Sequence, residues 1–161
     1  GTILAVSAWK ADSNYGKVYV YQYDGSSWVQ MGQIFQGNSG DYFGNHSVSL
    51  SSDGTILSAG SYHSGYVKVF KYLTGTWTQL GTDILGPGAG NIGDNANNYF
   101  GYWNALNSDG TIIAVTNMQG STIGGGTPHK IGHLYVYQYY EETTSWLQKG
   151  QIMVGEKLGS L

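Results

Sequence analysis

Few residues in this chain can do chemistry, and their spacing excludes most of what they could do. The four histidines are His46, His63, His129 and His133. A zinc site needs such residues one helical turn apart on one face, or cysteine partners. Only His129 and His133 are four apart; Gly132 intervenes where a strand begins, so they do not share a helix face, and cysteine is absent. Serine is abundant, yet none occupies a Gly-x-Ser-x-Gly elbow. The stretches Gly86-Pro87-Gly88-Ala89-Gly90 and Gly124-Gly125-Gly126 open no helix and lead to no P-loop lysine, so they read as loops rather than phosphate cradles. Asp53 and Asp109 each precede a glycine and read as turn residues, and Glu141-Glu142 reads as a solvated hairpin. An acid pair for glycoside hydrolysis would have to be assembled across distant segments.

Composition narrows the class further. In 161 residues there are 26 glycines, 14 tyrosines and only 11% charged residues, with a formal charge of −3. Many turns joining aromatic-rich strands are implied, and with two prolines those turns fall to Gly, Asn, Asp and Ser. No Lys/Arg cluster offers a nucleic-acid footprint. Without cysteine there is no disulfide frame, and no apolar run is long enough for a membrane helix.

The elements that must position any site come from a pattern written three times. It begins Thr2-Ile3-Leu4, Thr55-Ile56-Leu57 and Thr111-Ile112-Ile113, the later copies preceded by Asp53-Gly54 and Asp109-Gly110. Each copy continues through a loop to Gly16-Lys17-Val18-Tyr19-Val20-Tyr21, Gly65-Tyr66-Val67-Lys68-Val69-Phe70 or Gly132-His133-Leu134-Tyr135-Val136-Tyr137. Each ends in Trp-x-x-x-Gly, at Trp28–Gly32, Trp77–Gly81 and Trp146–Gly150. Asp41-Tyr42-Phe43-Gly44 and Asn98-Tyr99-Phe100-Gly101 stand between copies. Asp-Gly marks tight hairpins, and no segment shows a 3.6-residue apolar period. Each period therefore reads as four short antiparallel strands. Strand three is bulky on both faces, Val18 and Val20 on one and Tyr19, Tyr21 and Tyr23 on the other, which implies a sheet covered on both sides. The expected fold is all-β, a partial β-propeller of about three four-stranded antiparallel blades. Residues 1–42 form a blade lacking its first strand, 43–99 and 100–157 form full blades, and 158–161 begin a further repeat of a longer propeller.

Phe-Gly, a strand, Asp-Gly, and Gly-Lys-Val-Tyr-Val-Tyr together resemble the FG-GAP repeats of integrin α-type propellers, and similar tandem repeats of large secreted or surface proteins. The resemblance covers essentially the whole chain. It implies an extracellular or cell-surface location and a protein partner or further blades. Calcium, which such repeats often bind, is not carried over: the loops at 10–16, 61–65 and 117–132 lack the carboxylates a calcium loop needs. No cofactor is expected.

In such a fold the loops joining strands two to three and four to one share a rim, where ligands usually bind. The rim candidates are Trp9, Asn14, Tyr15, Tyr62, His63, Asn95 and Asn98, suited to sugar stacking or a polar interface. Alternatively, Trp9 and Tyr62 only cap the blade ends. Asn45-His46-Ser47 matches an N-glycosylation sequon, making Asn45 a candidate acceptor. Three functions remain open: a non-enzymatic adhesion or structural scaffold, which is the leading expectation; a carbohydrate-binding propeller; and an accessory propeller of a larger enzyme.

Overall fold

The computed structural model describes residues 1–87, 99–120 and 131–155. It is an all-β arrangement of three antiparallel sheets. The first sheet contains β1 (Ile3–Ala8), β2 (Lys17–Tyr23), β3 (Trp28–Gln30) and β4 (Phe35–Gln36). The second contains β5 (Val48–Leu50), β6 (Ile56–Ser61), β7 (Tyr66–Leu73), β8 (Thr76–Gln79) and β9 (Ile84–Leu85). The third contains β10 (Phe100–Leu106), β11 (Ile112–Gly120), β12 (Ile131–Tyr140), β13 (Ser145–Gln148) and β14 (Met153–Val154). A single coil at Ala11–Asn14 (α1) carries left-handed φ angles at Asp12, Ser13 and Asn14.

Within each sheet the last two strands are halves of one. β3 pairs with Tyr21–Tyr23 and β4 with Lys17–Val18, at opposite ends of β2. The break falls at Gly32, whose φ of +74° suits a residue without Cβ; Gly81 and Gly150 serve likewise in the other sheets. The Asp-Gly hairpins close through their own side chains. Asp53 accepts from the Thr55 N–H at 2.9 Å and Asp109 from the Thr111 N–H at 2.9 Å. The Ser51 hydroxyl on Asp53 and the Thr111 hydroxyl on Asp109, together with those N–H groups, hold both carboxyls below the usual carboxylate range.

The sheets stack face to face, and this decides where the core lies. One cluster joins Val18, Val20, Met31 and Phe35 of the first sheet to Leu57, Ala59, Tyr66 and Trp77 of the second. A second joins Ile56, Val67, Val69 and Ile84 to Ile113, Val115, Tyr135 and Trp146 of the third. Among the described residues the middle sheet is covered on both faces and each outer sheet on one, so the two-sided cover expected from Val18 and Val20 against Tyr19, Tyr21 and Tyr23 is not met in the first sheet, whose tyrosine face carries the exposed Val6, Tyr23 and Trp28. At both junctions a tryptophan from one sheet donates its indole N–H to a carbonyl of the previous sheet. Trp77 donates to Met31 O at 2.7 Å and Trp146 to Leu80 O at 2.8 Å. The next residue after each acceptor is glycine, and a Cβ there would lie 2.6 Å from the Trp77 ring at Gly32 and 3.0 Å from the Trp146 ring at Gly81. Polar side chains join the edge strand β10 to the second sheet: Asn104 bonds Ser47 and Ser58, and the Leu106 N–H donates to Ser49 Oγ at 3.1 Å.

Trp28 holds the same place in the first sheet, but among the described residues no sheet packs on it, and it is 46% exposed against 3% for Trp77 and 8% for Trp146. We predict that Trp77→Phe, which leaves the Met31 carbonyl without its indole donor, destabilises the chain by about 1–3 kcal/mol. Trp28→Phe should stay within about 0.5 kcal/mol. Urea unfolding in dilute solution measures both; equal losses would show that the indole bond contributes nothing.

Candidate functional site

The stacking brings loops from different repeats to one end of the sheets, where they form a continuous row of rings. Trp9, just after β1, meets Tyr42 at 5.8 Å between ring centroids, and Tyr42 stacks on His63 at 4.4 Å. His63 lies 4.4 Å from Tyr62, which in turn meets Tyr99 at 5.3 Å and Tyr102 at 5.2 Å. His46 stacks on Tyr102 at 5.1 Å and reaches Trp103 at 5.6 Å. Most of the row is half-buried, while His46 and Trp103 at its far end are exposed. There the row meets a groove of about 450 Å³ lined by Trp103, Thr116, Met118, His133, Leu134 and Met153. A cavity of this size suits a small molecule.

The buried carboxylate of Asp41 fixes the start of the row. It accepts from Tyr66 Oη at 2.6 Å, from the Asn38 N–H at 2.7 Å and from Ser64 Oγ, while its own carbonyl accepts from Ser61 Oγ at 2.6 Å. Burial, reinforced by this carboxylate, raises the Tyr66 phenol well above its usual range. Asp41 is thus a peg holding the β4–β5 loop against the β6–β7 loop, with Tyr42 beside it. The backbone carbonyls of Asn14 and Tyr15 complete the clamp, accepting from the N–H groups of Tyr42 at 2.9 Å and Phe43 at 3.1 Å. Tyr42, His46 and Tyr99 all carry positive φ, 52°, 57° and 60°. Bulky residues rarely adopt that conformation, and it concentrates at functional loops.

His63 and Tyr62 carry the titratable chemistry. His63 Nε2 lies 3.0 Å from Tyr62 Oη. Burial lowers the imidazole's pKa, opposed by the charge of Asp41, so the ring is neutral at pH 7. Burial likewise raises the Tyr62 phenol, which remains protonated, with an opposing hydrogen bond from the Asn45 side chain. The row therefore offers flat aromatic faces, a phenol and a neutral imidazole. Among the described residues no three His, Cys, Asp or Glu side chains gather to hold a metal ion; Asp12 of the first loop pairs with Lys17 at 2.6 Å.

Trp9, Tyr62 and His63, expected at the rim, are brought together in the row. Asn14 and Tyr15 enter through their backbone carbonyls. Asn95 and Asn98 lie outside the described residues. The sequon reading of Asn45 is corrected: the side chain is 4% exposed beneath Tyr62, and a glycan has no room there. Its Oδ1 is instead a buried acceptor that no described residue satisfies. Tyr42, His46, Tyr99, Tyr102 and Trp103 were not foreseen. The first and third belong to the repeated Tyr-Phe-Gly and read as packing, and the others follow Phe-Gly where only a strand was expected. A usable signal was there: the residues after Phe-Gly are Asn45-His46 in one copy and Tyr102-Trp103 in the next.

The chain matches no family model and no curated protein. Among solved structures it is similar to a proposed 6-phosphogluconolactonase of Bacteroides fragilis, with 17% identity, a TM-score of 0.55, and coverage of 89% of this chain and 34% of that one. It is also similar to a hypothetical selenium-binding protein of Sulfolobus tokodaii, with 11% identity, a TM-score of 0.50, and coverage of 88% and 37%. A proposed 6-phosphogluconolactonase of Bacteroides uniformis matches at 16% identity and a TM-score of 0.43, covering 91% and 51%. The chain thus spans about a third of the length of the first two. The Bacteroides fragilis likeness is one of fold, and it corrects the leading functional expectation. A non-enzymatic adhesion scaffold was inferred from repeats without catalytic groups, yet a protein named for an enzyme activity carries the same fold.

The lowered His63 pKa gives a signed prediction. Between pH 6.5 and the folded-state value the unfolded chain binds the proton and the folded chain does not, so stability falls as pH falls through that window. Thermal midpoints measured from pH 7.5 to 5 should decline in the parent and decline less in His63→Gln. Parallel declines would place the acid-sensitive group elsewhere.

Proposed function

We propose that the three sheets are consecutive blades of a β-propeller built from FG-GAP-like repeats, and that the aromatic row binds the ring of a neutral, sugar-derived substrate. The observation that carries this reading is the unbroken row from Trp9 to Trp103, leading into a groove of about 450 Å³. Aromatic faces pair with the apolar face of a pyranose or lactone ring, and the hydroxyls then find Tyr62 and His63. Three features support the blade reading: face-to-face stacking, polar bonds from the edge strand β10 to the second sheet, and last strands that all break at glycine. The name of the Bacteroides fragilis protein supports a sugar lactone as the substrate class.

Charge argues for a neutral ring. All seven basic residues are lysines, and among the described residues Lys10 lies 4.5 Å over Trp9, at the end of the row remote from the groove. In lactone hydrolysis water adds to the ring carbonyl, the ring C–O bond breaks, and the proton lost by the attacking water is returned to the departing ring oxygen, which leaves as a hydroxyl. The neutral imidazole of His63 accepts that proton, and Tyr62 orients the imidazole.

Titration with glucono-δ-lactone, followed by tryptophan fluorescence, tests the binding step. Saturable quenching is expected, with Tyr102→Ala weakening the affinity roughly two- to tenfold, the contribution of one stacking contact. His63→Gln should retain binding while losing the acceleration of lactone opening over buffer. Absence of saturable binding at millimolar lactone would overturn the reading. Hydrolysis unchanged in His63→Gln would remove the imidazole from it.

A further inference from the structure

Asp41 is 2% exposed, and its carboxylate accepts from four donor groups, all uncharged. Tyr66 Oη donates at 2.6 Å, the Asn38 N–H at 2.7 Å and Asn38 Nδ2 at 3.2 Å, and Ser64 Oγ completes the set. Among the described residues no cation pairs with it. Lys68 lies 5.0 Å over the Tyr66 ring, but its ammonium is held by Asp83 at 2.8 Å. Such donors stabilise a buried carboxylate, yet without an opposite charge its burial remains unfavourable.

The repeat does not ask for this charge. Asp41-Tyr42-Phe43-Gly44 recurs as Asn98-Tyr99-Phe100-Gly101, with an amide in place of the carboxylate. Its donor Tyr66 follows Gly65, where the other copies have Lys17 after Gly16 and His133 after Gly132. The carboxylate and its phenol therefore come together at one junction, and that junction holds His63. Both chain neighbours couple the two groups. Tyr42, next to Asp41, stacks on the His63 ring at 4.4 Å, and Ser64, next to His63, donates to the Asp41 carboxylate. The imidazole also faces Tyr62, whose Oη is 3.0 Å from Nε2, and beyond Tyr62 stand Tyr99 and Tyr102. These neighbours are phenols. The charge that acts on the ring is that of Asp41, and it favours the protonated imidazole against the burial that disfavours it.

We propose that Asp41 is the counter-charge of protonated His63, a positioning residue that meets no substrate and stabilises the imidazole only while the ring holds a proton. At rest the carboxylate has no opposite charge and the imidazole is neutral. When His63 takes the proton of the attacking water, imidazolium and carboxylate become a buried ion pair. The pair is lost as the proton passes to the departing ring oxygen. An interaction made only in the charged state lowers the barrier without tightening substrate binding. The catalytic role rests on the hydrolysis reading above, whereas the ion pair itself does not.

Two measurements test it: NMR titration of the His63 imidazole in the free chain, and the pH–rate profile of glucono-δ-lactone opening. Asp41→Asn places here the amide that the sequence carries at position 98. Removing the charge that favours the protonated ring should lower the His63 titration midpoint by about half a pH unit or more. Rate is lost as pH falls and His63 protonates, so the acid limb of the profile should move to lower pH by the same amount. On the plateau kcat should fall about three- to tenfold, the equivalent of half to one unit, with KM unchanged. Tyr66→Phe removes a donor and loosens the same loop but keeps the charge, so the midpoint should not fall. A fall in Tyr66→Phe would show that loop position rather than charge sets the titration, and would overturn the proposal. An unchanged midpoint in Asp41→Asn would overturn it too. A midpoint lowered in Asp41→Asn, in a chain whose parent opens no lactone, would uphold the ion pair and remove the hydrolysis reading instead.

Discussion

The hydrogen bond from an indole N–H to a carbonyl one sheet away, seated over a glycine, sets the geometry from which the rest follows. It fixes both the separation and the register of neighbouring sheets. Glycine is required because the ring occupies the space a Cβ would need; its left-handed φ also breaks the last strand at that point, so one residue type serves both ends. With the register fixed, Gly54 and Gly110 fall against Ile3 and Ile56 of the preceding sheet, and the hairpins of successive repeats nest in the same order. The two core clusters are consequences of this spacing.

A second constraint acts at the opposite end of the strands. There the loops are long enough to wander, and Asp41 stops them. Its carboxylate gathers donors from the β4–β5 loop, from the segment between β6 and β7 and from the start of β7. Buried charges of this kind persist only when their lone pairs are satisfied. The result is a rigid corner in which Tyr42 is held at positive φ, a conformation that costs of order 1–3 kcal/mol when unsupported. The strain and the peg belong together: the peg makes affordable a backbone that turns Tyr42 towards His63 and starts the row.

The sheets were legible in the sequence because their causes are local. Asp53-Gly54 and Asp109-Gly110 specify hairpins by themselves, and Val18 and Val20 alternate with tyrosines within one strand. The row was only partly legible because it is not local. Tyr42 meets His63, and Tyr62 meets Tyr102, across loops from different repeats, and no spacing along the chain announces such neighbours. Asn45 shows the same limit from the other side. A three-residue motif made it a surface acceptor, whereas the adjacent Phe-Gly turn buries it. The expectation of a scaffold failed for a related reason: an absence of repeated catalytic groups says nothing about groups that different repeats contribute once each.

Where the copies agree and where they differ then has physical meaning. Trp28, Trp77 and Trp146, with Gly32, Gly81 and Gly150, are invariant because every sheet must offer the same plug and the same seat. The positions after Phe-Gly are free of that demand, and there Asn45 and His46 stand where the next copy has Tyr102 and Trp103. On the rim His46 lies against Tyr102 and Trp103, an imidazole against a phenol and an indole, while the Asn45 amide is buried and bonds Tyr62. Equivalent positions filled by unlike groups give the rim an asymmetry that identical repeats could not. A flat ring bearing hydroxyls on one edge needs such a surface, with stacking faces on one side and hydrogen-bonding groups on the other. Sameness builds the stack, and the departures from it are concentrated where the stack presents itself to a ligand.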